Sequence, residues 1–209
     1  MARYLVMLAL VAGFAAPAAA QAPDGWSVRV DRSTSASDPD DTPNLKVTTV
    51  GKGFQVTGGP AGTFWNPANA AAGDFAARAS FKLMKPSGHL NYYGLIFGGD
   101  DLGGASQAYV YFLVGQNGTF IIRHRSGADV HDVQARTPNA AIVQPGADGS
   151  STNVLEVRVA GATISYVVNG TVVHTTPKTG YTAKTDGLVG VRINHQLDVL
   201  VDGFSLQKR

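Results

Sequence analysis

The stretch AYVYFLVGQNGTFIIRHR, residues 108–125, decides the fold class of this chain. On either side of its centre, polar and aromatic side chains such as Tyr109 and Tyr111 alternate with apolar ones, and a period of two is typical of β-strands. Asn117-Gly118 predicts a type I′ turn, because both residues tolerate the positive φ that this turn requires. The stretch therefore predicts two antiparallel strands joined by a hairpin, with faces of unlike polarity.

The same alternation recurs along the chain in short runs separated by Gly, Pro, Asn and Asp. Residues 164–175, ISYVVNGTVVHT, contain a second predicted Asn-Gly hairpin turn at Asn169-Gly170. Residues 66–74 are expected to form one helical turn. No long amphipathic helix is predicted. About fourteen strands at this spacing predict an all-β antiparallel sandwich or jelly roll.

The first twenty residues have the pattern of a secretory signal peptide. Arg3 is followed by the apolar run YLVMLALVAGF and by AAPAAA, which predicts cleavage after Ala20. The run is too short to span a bilayer, so no membrane span is expected after cleavage. The sequence predicts a periplasmic or secreted protein with one domain, residues 21–209, and does not indicate its oligomeric state.

Charge and cysteine content narrow the classes of partner. The 17 Lys and Arg residues are balanced by 15 Asp and Glu residues, and the basic ones are scattered apart from a small knot at Arg123, His124 and Arg125. Nucleic acid is therefore not an expected partner, because its binding needs a concentrated basic face. The chain has no cysteine, so disulfides cannot form, which suits an oxidising compartment.

Three stretches carry a resemblance to a known fold family: GDFAARASFKL (73–83), ISYVVNGTVVHT (164–175) and DGLVGVRINHQLDVLVDGFSLQ (186–207). They resemble a sheet-entry strand, an Asn-Gly hairpin and the closing strand pair of concanavalin A-like lectin/glucanase jelly rolls. More narrowly, the chain is similar to exported bacterial proteins distantly related to the 3-keto-disaccharide hydrolases and to family 16 glycosidases. This resemblance implies a jelly roll, but the fold hosts lectins, hydrolases and adhesion modules alike.

Catalysis of the family 16 type is disfavoured by the sequence. That resemblance implies a Glu-x-Asp-x-(x)-Glu strand, which sets two glutamates on one sheet face. Glu156 is the only glutamate in the chain and is expected to point outward between Leu155 and Val157. Asp198 and Asp202 share a strand face but would lie about 13 Å apart, too far to act on one bond. No catalytic residue is assigned.

A structural calcium ion is a candidate by the same resemblance. In jelly rolls of this kind an acid on the last strand, here Asp202, helps to hold calcium with an oxygen-rich loop. SDPDDTPN at 37–44, with Asp40, is a candidate for that loop, since calcium prefers six to eight hard oxygens. The alternative is a solvated loop and an edge-strand acid. No cofactor is required by the sequence.

One sheet face is predicted to bind a ligand. Alternation puts Tyr109, Tyr111, Arg123, Arg192 and Asn194 on one side of neighbouring strands. Either Tyr92 or Tyr93 is expected to join them, and Tyr93 is taken as the candidate. Aromatic rings stack on the apolar face of a sugar, while Arg and Asn bond its hydroxyls. The alternative is an ordinary outer face with cross-strand Arg–Tyr pairs.

Loops at the edge of that sheet add further candidates. Asp100 and Asp101 follow Gly98-Gly99, and they either cap a turn or accept sugar hydroxyls at the rim. His195 is expected at a turn near the same rim, where it either makes a structural hydrogen bond or contacts the ligand. The leading hypothesis is a carbohydrate-binding, lectin-like module without catalysis. A saccharide hydrolase or lyase of the 3-keto-disaccharide type and a structural or protein-interaction domain of the envelope remain alternatives.

Overall fold

Fourteen strands form two antiparallel sheets in the computed structural model, which describes residues 22–35 and 37–209. The predicted signal peptide lies outside these residues. The first sheet has seven strands, in spatial order β1 (Ser27–Asp31), β4 (Ala61–Ala71), β13 (Gly187–Ile193), β6 (Tyr92–Asp100), β7 (Ala108–Gly115), β8 (Thr119–Ser126) and β9 (Asp129–Pro138).

The second sheet also has seven strands and packs against the first. Its spatial order is β12 (Thr171–Pro177), β11 (Thr163–Val168), β10 (Ser151–Ala160), β5 (Phe75–Lys85), β14 (Asp198–Lys208), β3 (Gly53–Thr57) and β2 (Lys46–Val50). Two short 3-10 turns occur at Pro39–Asp41 and Gly180–Thr182. Within the described residues, no helix is long and apolar enough to cross a membrane. The predicted all-β sandwich is confirmed.

The core lies between the sheets and is filled by alternate residues of each strand. Val110 and Phe112 of β7 and Leu155 and Val157 of β10 belong to this layer, and all four are at most 1% exposed. Burying one such side chain contributes about 1.5–3 kcal/mol. Glu156 points outward between its buried neighbours and pairs with Arg158 Nε at 2.7 Å, as the alternation predicts.

The two Asn-Gly turns differ in geometry. Asn169 and Gly170 both have positive φ, 51° and 85°, so the type I′ expectation holds there. At Asn117-Gly118 only Gly118 has a positive φ, 76°, and its N–H donates to the Gly115 carbonyl at 3.1 Å. The expected helical turn at 66–74 is wrong, because β4 continues as strand to Ala71 and pairs with β13.

Candidate functional site

The outer face of the first sheet carries a second apolar cluster, separate from the core between the sheets. Its buried members are Tyr92, Ile96, Leu102, Tyr109, Tyr111, Leu113 and Ile121. A fully solvated sheet face would show polar residues at these positions. The burial of this cluster shows that side chains of the same face cover one another.

Strong curvature of the sheet explains that burial. Arg125 Nη1 of β8 lies 3.7 Å from Asp31 Oδ2 of β1, although four strands separate β8 from β1. In a flat sheet the two strands would be about 24 Å apart, more than an arginine and an aspartate can span. The first sheet therefore curls toward its outer side, and its outer face is concave.

Arg192 lies on the floor of this concave face. It projects from β13 with a side chain that is only 10% exposed. Its Nη1 donates to Asp31 Oδ2 at 2.6 Å, to Thr63 Oγ1 at 2.9 Å and to Tyr109 OH at 3.0 Å. An arginine is always charged, so its burial here requires this set of partners.

Asp31 is the carboxylate around which three arginines gather. Arg29 Nε donates to its Oδ1 at 2.9 Å, Arg192 Nη1 donates to its Oδ2, and Arg125 approaches the same oxygen. Burial alone would raise the pKa of Asp31, but the charge and hydrogen bonds of Arg192 and Arg29 outweigh it and lower the pKa. Arg29, Arg125 and Arg192 with Asp31 are called the arginine cluster below.

The loop between β6 and β7 holds the arginine cluster from one side. Arg29 Nη1 donates to the Gly104 carbonyl at 2.6 Å. The side-chain amide of Gln107 is buried beside these arginines, and turning it so that its oxygen faces them lets that oxygen accept from Arg29 Nε at 3.0 Å and from Arg125 Nε at 3.2 Å. These contacts fix the guanidinium groups in place, and such preorganisation lowers the cost of binding a ligand.

Arg123 forms the exposed rim of the concave face. Its side chain is 38% exposed, and its Nε donates to Asp132 Oδ1 of β9 at 2.6 Å. Across β8 and β7 it lies opposite Tyr111, whose ring also faces Arg192 at 5.9 Å. The face thus has a buried charged floor and a more open charged rim.

Four of the predicted ligand-binding residues come together on this face: Tyr109, Tyr111, Arg123 and Arg192. The two tyrosine rings are only 1% and 7% exposed, since the arginines and the sheet curvature cover them. The prediction that these rings stack on a sugar therefore needs correction. Tyr109 instead holds Arg192 through its hydroxyl, and Tyr111 lies beneath Arg192 and beside Arg123.

Tyr93 does not belong to the concave face. Its ring packs in the core against Phe81 at 5.7 Å, and its hydroxyl accepts from Asn153 Nδ2 at 3.3 Å. Burial raises the pKa of this tyrosine. Tyr92 occupies the concave face instead. Two adjacent tyrosines must point to opposite faces of a strand, and the sequence alone did not say which pointed where.

Similarity to known proteins is confined to the fold. No protein-family model matches the chain, and no curated protein sequence matches it. Among solved structures, the carbohydrate-binding module CBM66 from Bacillus subtilis aligns with a TM-score of 0.62 at 11% identity, over 88% of this chain and 95% of that chain. The fold is a concanavalin A-like jelly roll.

Two further solved structures share this jelly roll. A Bacillus subtilis protein with a galectin-like fold aligns with a TM-score of 0.61 at 10% identity, over 88% of this chain and 89% of that one. A Bacteroides ovatus mixed linkage glucan GH16 protein in complex with a G4G4G3G product has a TM-score of 0.58 at 12% identity, over 88% of this chain and 94% of that one. At these identities the likeness shows the architecture alone.

The paired aspartates at the end of β6 have separate structural roles in the jelly roll. Asp100 binds Lys184 Nζ at 2.6 Å on the surface. Asp101 has a positive φ of 43°, and its carboxylate accepts from the Ser106 N–H at 3.1 Å. These contacts fit the interpretation that turn geometry explains the pair, and ligand binding by either residue stays a prediction.

Asn194 and His195 lie just past the end of β13. The backbone N–H of Asn194 donates to the Tyr92 carbonyl at 2.9 Å, which extends the pairing with β6. Asn194 Oδ1 and His195 Nδ1 are buried and have no hydrogen-bond partner in the described part of the chain. They lie beyond the strand that carries Arg192, and their role in binding stays a prediction.

The candidate calcium ligands are engaged in other contacts. Asp40 lies 3.4 Å from His89 Nε2, while Asp202 accepts from the Gly203 N–H and lines a surface hollow with Asp24 and Lys52. Among residues 22–35 and 37–209, no group of three or more His, Asp or Glu side chains is placed to hold a metal ion. Calcium therefore stays an untested expectation, without a preformed set of side-chain ligands here.

Sequence reasoning missed Arg29, Asp31, Thr63 and Gln107, and did not single out Arg125 from its neighbours. The alternation of SVRVD already put Arg29 and Asp31 on one face of β1. What it could not show is that β1 curls toward β8, because those strands are far apart both in the chain and in the sheet. A prediction of the strand order would have been needed to find the arginine cluster.

Proposed function

We propose that the protein is an exported saccharide-binding domain that uses the concave face of the first sheet. The observation that carries this proposal is the arginine cluster, three guanidinium groups gathered on Asp31 over a floor of buried tyrosines. Apolar residues of similar volume would often stabilise a sheet face as well as buried ion pairs do, so filling this face does not by itself require arginines. A preorganised set of hydrogen-bond donors suits the hydroxyls of a sugar.

The proposal has support from the fold. One aligned structure is by its name a carbohydrate-binding module, and another holds an oligosaccharide product. The predicted signal peptide at residues 1–20 would direct the domain to the periplasm or outside the cell, where polysaccharides are accessible to it.

Binding is favoured over hydrolysis by the electrostatics of the two acids on this face. A glycosidase needs a carboxylic acid whose pKa is raised so that it can donate a proton. Asp31 has the opposite perturbation, since Arg192 and Arg29 lower its pKa. Asp132, the other acid, is bound to Arg123 at the open rim. The environment of Asp31 is therefore not that of a general acid.

The proposal is tested by affinity electrophoresis of the purified protein through gels containing β-glucan, xylan, galactomannan, polygalacturonate or alginate. We expect retardation by at least one polysaccharide, weakened in Arg123→Ala. Arg158→Ala is the matched control, because the exposure of Arg158, 42%, and its distance to one acid partner, 2.7 Å, are close to those of Arg123. Arg158 differs in lying on the second sheet. Unretarded migration in all five gels would refute the proposal.

A further inference from the structure

The concave face carries as much net positive charge as the whole chain. Five arginines lie on it or at its rim, against Asp31 and Asp132 on its strands and Asp101 in the loop at the rim, which leaves an excess of two positive charges, because Asp100 is paired with Lys184. The five are Arg29, Arg123, Arg125, Arg136 and Arg192, of which Arg136 lies over the Tyr92 ring at 5.9 Å. The whole chain has a net charge of only +2. The excess is therefore concentrated at the proposed site.

Arg125 is the least neutralised of the three arginines gathered around Asp31. Its Nη1 is 3.7 Å from Asp31 Oδ2, beyond hydrogen-bonding distance, and that carboxylate already accepts from Arg29 and Arg192. The Nε of Arg125 donates to the Gly127 carbonyl at 3.0 Å, a neutral partner. Its side chain is 20% exposed, so part of it is accessible to solvent.

We infer that the saccharide recognised by this face is acidic and carries carboxylates, as a uronate-containing polysaccharide does. The inference rests on the proposed function and names its ligand class. A planar carboxylate matches the guanidinium fork with two parallel hydrogen bonds, which a lone sugar hydroxyl cannot do. A ligand carboxylate at Arg125 and Arg123 would also offset the remaining excess of positive charge.

The decisive experiment compares ligands that differ only in charge. Calorimetric titrations of the purified protein would use hexamers of galacturonate, glucuronate and mannuronate, each beside its fully methyl-esterified form. At least one acid hexamer is expected to bind about tenfold or more tightly than its ester. Raising the salt concentration should lower the affinity for the acid hexamer and leave the affinity for the ester unchanged.

Variants assign the effect to the face. Arg125→Gln and Arg123→Gln should each lower affinity for the acid hexamer about tenfold, while Arg158→Gln on the second sheet should leave it within about twofold. Thermal unfolding of each variant checks that it is folded, and Arg123→Gln, at the open rim, keeps the test valid if Arg125→Gln is unstable.

The failures of the two proposals are distinguishable. Equal affinity for an acid hexamer and its ester, or binding of only a neutral polysaccharide, overturns the acidic-ligand inference and leaves saccharide binding intact. Poly-glutamate of equal charge binding as tightly as the acid hexamers would show a general anion patch and overturn both. Binding by none of the hexamers and none of the neutral polysaccharides likewise overturns both.

Discussion

Asp31 of β1 and Arg125 of β8 approach to 3.7 Å across four intervening strands. Such an approach is available only in a strongly curled sheet, and it makes the outer face of the first sheet a concave surface rather than a flat one. Arg192 fills the floor beneath this contact and is held by Asp31, Thr63 and Tyr109. One carboxylate thus connects the edge of the sheet, its centre and its far side.

Replacing that carboxylate should strongly destabilise the fold. Asp31→Asn keeps the shape of the side chain but leaves Arg192 buried without a counter-charge, which costs about 3–5 kcal/mol. Urea unfolding followed by tryptophan fluorescence measures the loss. Asp132→Asn, which breaks the exposed pair with Arg123, serves as the control and should cost less than about 1 kcal/mol. Equal losses for the two variants would show that the arginine cluster does not hold the sheet.

The same carboxylate should make stability depend on pH in the acid range. The pKa of Asp31 is lowered in the folded protein, so the folded protein binds a proton at Asp31 less tightly than the unfolded chain does. Its contribution is therefore present above about pH 4 and is lost as the pH falls through the lowered pKa. Unfolding free energies of the protein and of Asp31→Asn should converge below pH 4. A constant difference from pH 6 to pH 2.5 would contradict the assignment.

Asn169 should matter for more than its turn. Its side chain accepts from the Val154 N–H at 2.8 Å and donates to the Ala141 carbonyl at 2.8 Å and to Asn153 Oδ1 at 2.9 Å. Asn169→Ala removes these bonds and also places alanine at positive φ, for a loss of about 2–4 kcal/mol. Asn169→Gly also lacks the three hydrogen bonds, but glycine adopts a positive φ without strain. Asn169→Gly should therefore be more stable than Asn169→Ala and less stable than the unchanged protein. Thermal unfolding of both variants separates the two contributions.

Tyr93 tests the placement of the two adjacent tyrosines. Tyr93→Phe removes the hydroxyl that accepts from Asn153 in the core, and the expected loss of stability is about 1 kcal/mol. Retardation of this variant in the polysaccharide gels should be unchanged. Tyr109→Phe removes a partner of Arg192 on the concave face and should weaken retention as well. Weaker retention in Tyr93→Phe at unchanged stability would move the site away from the proposed face.

The fold could be predicted from the sequence because its determinants are local. Period-two alternation, as at 108–125, and the Asn169-Gly170 turn identify strands and one hairpin directly. The strand character of 66–71 was missed because its Asn, Pro and Ala residues have low β-propensity, and pairing with β13 overrides that preference.

The site was predictable only in part. Alternation correctly put Tyr109, Tyr111, Arg123 and Arg192 on one face, since each lies in a strand whose apolar partners face the core. It could not show the burial of the tyrosine rings or the approach of Arg29 and Asp31. Both depend on sheet curvature and on the crossover order of β1 and β4, which are properties of the assembled sandwich.

Chemical-shift mapping is the most direct test of binding at the concave face. The labelled protein would be titrated separately with hexasaccharides prepared from each of the five polysaccharides in the gel panel. Saturable shifts are predicted at the backbone amides of Thr63, Tyr111 and Arg123, with little change at Glu156 and Asn169 on the second sheet. Shifts concentrated on the second sheet, or none with any hexasaccharide, would contradict the account.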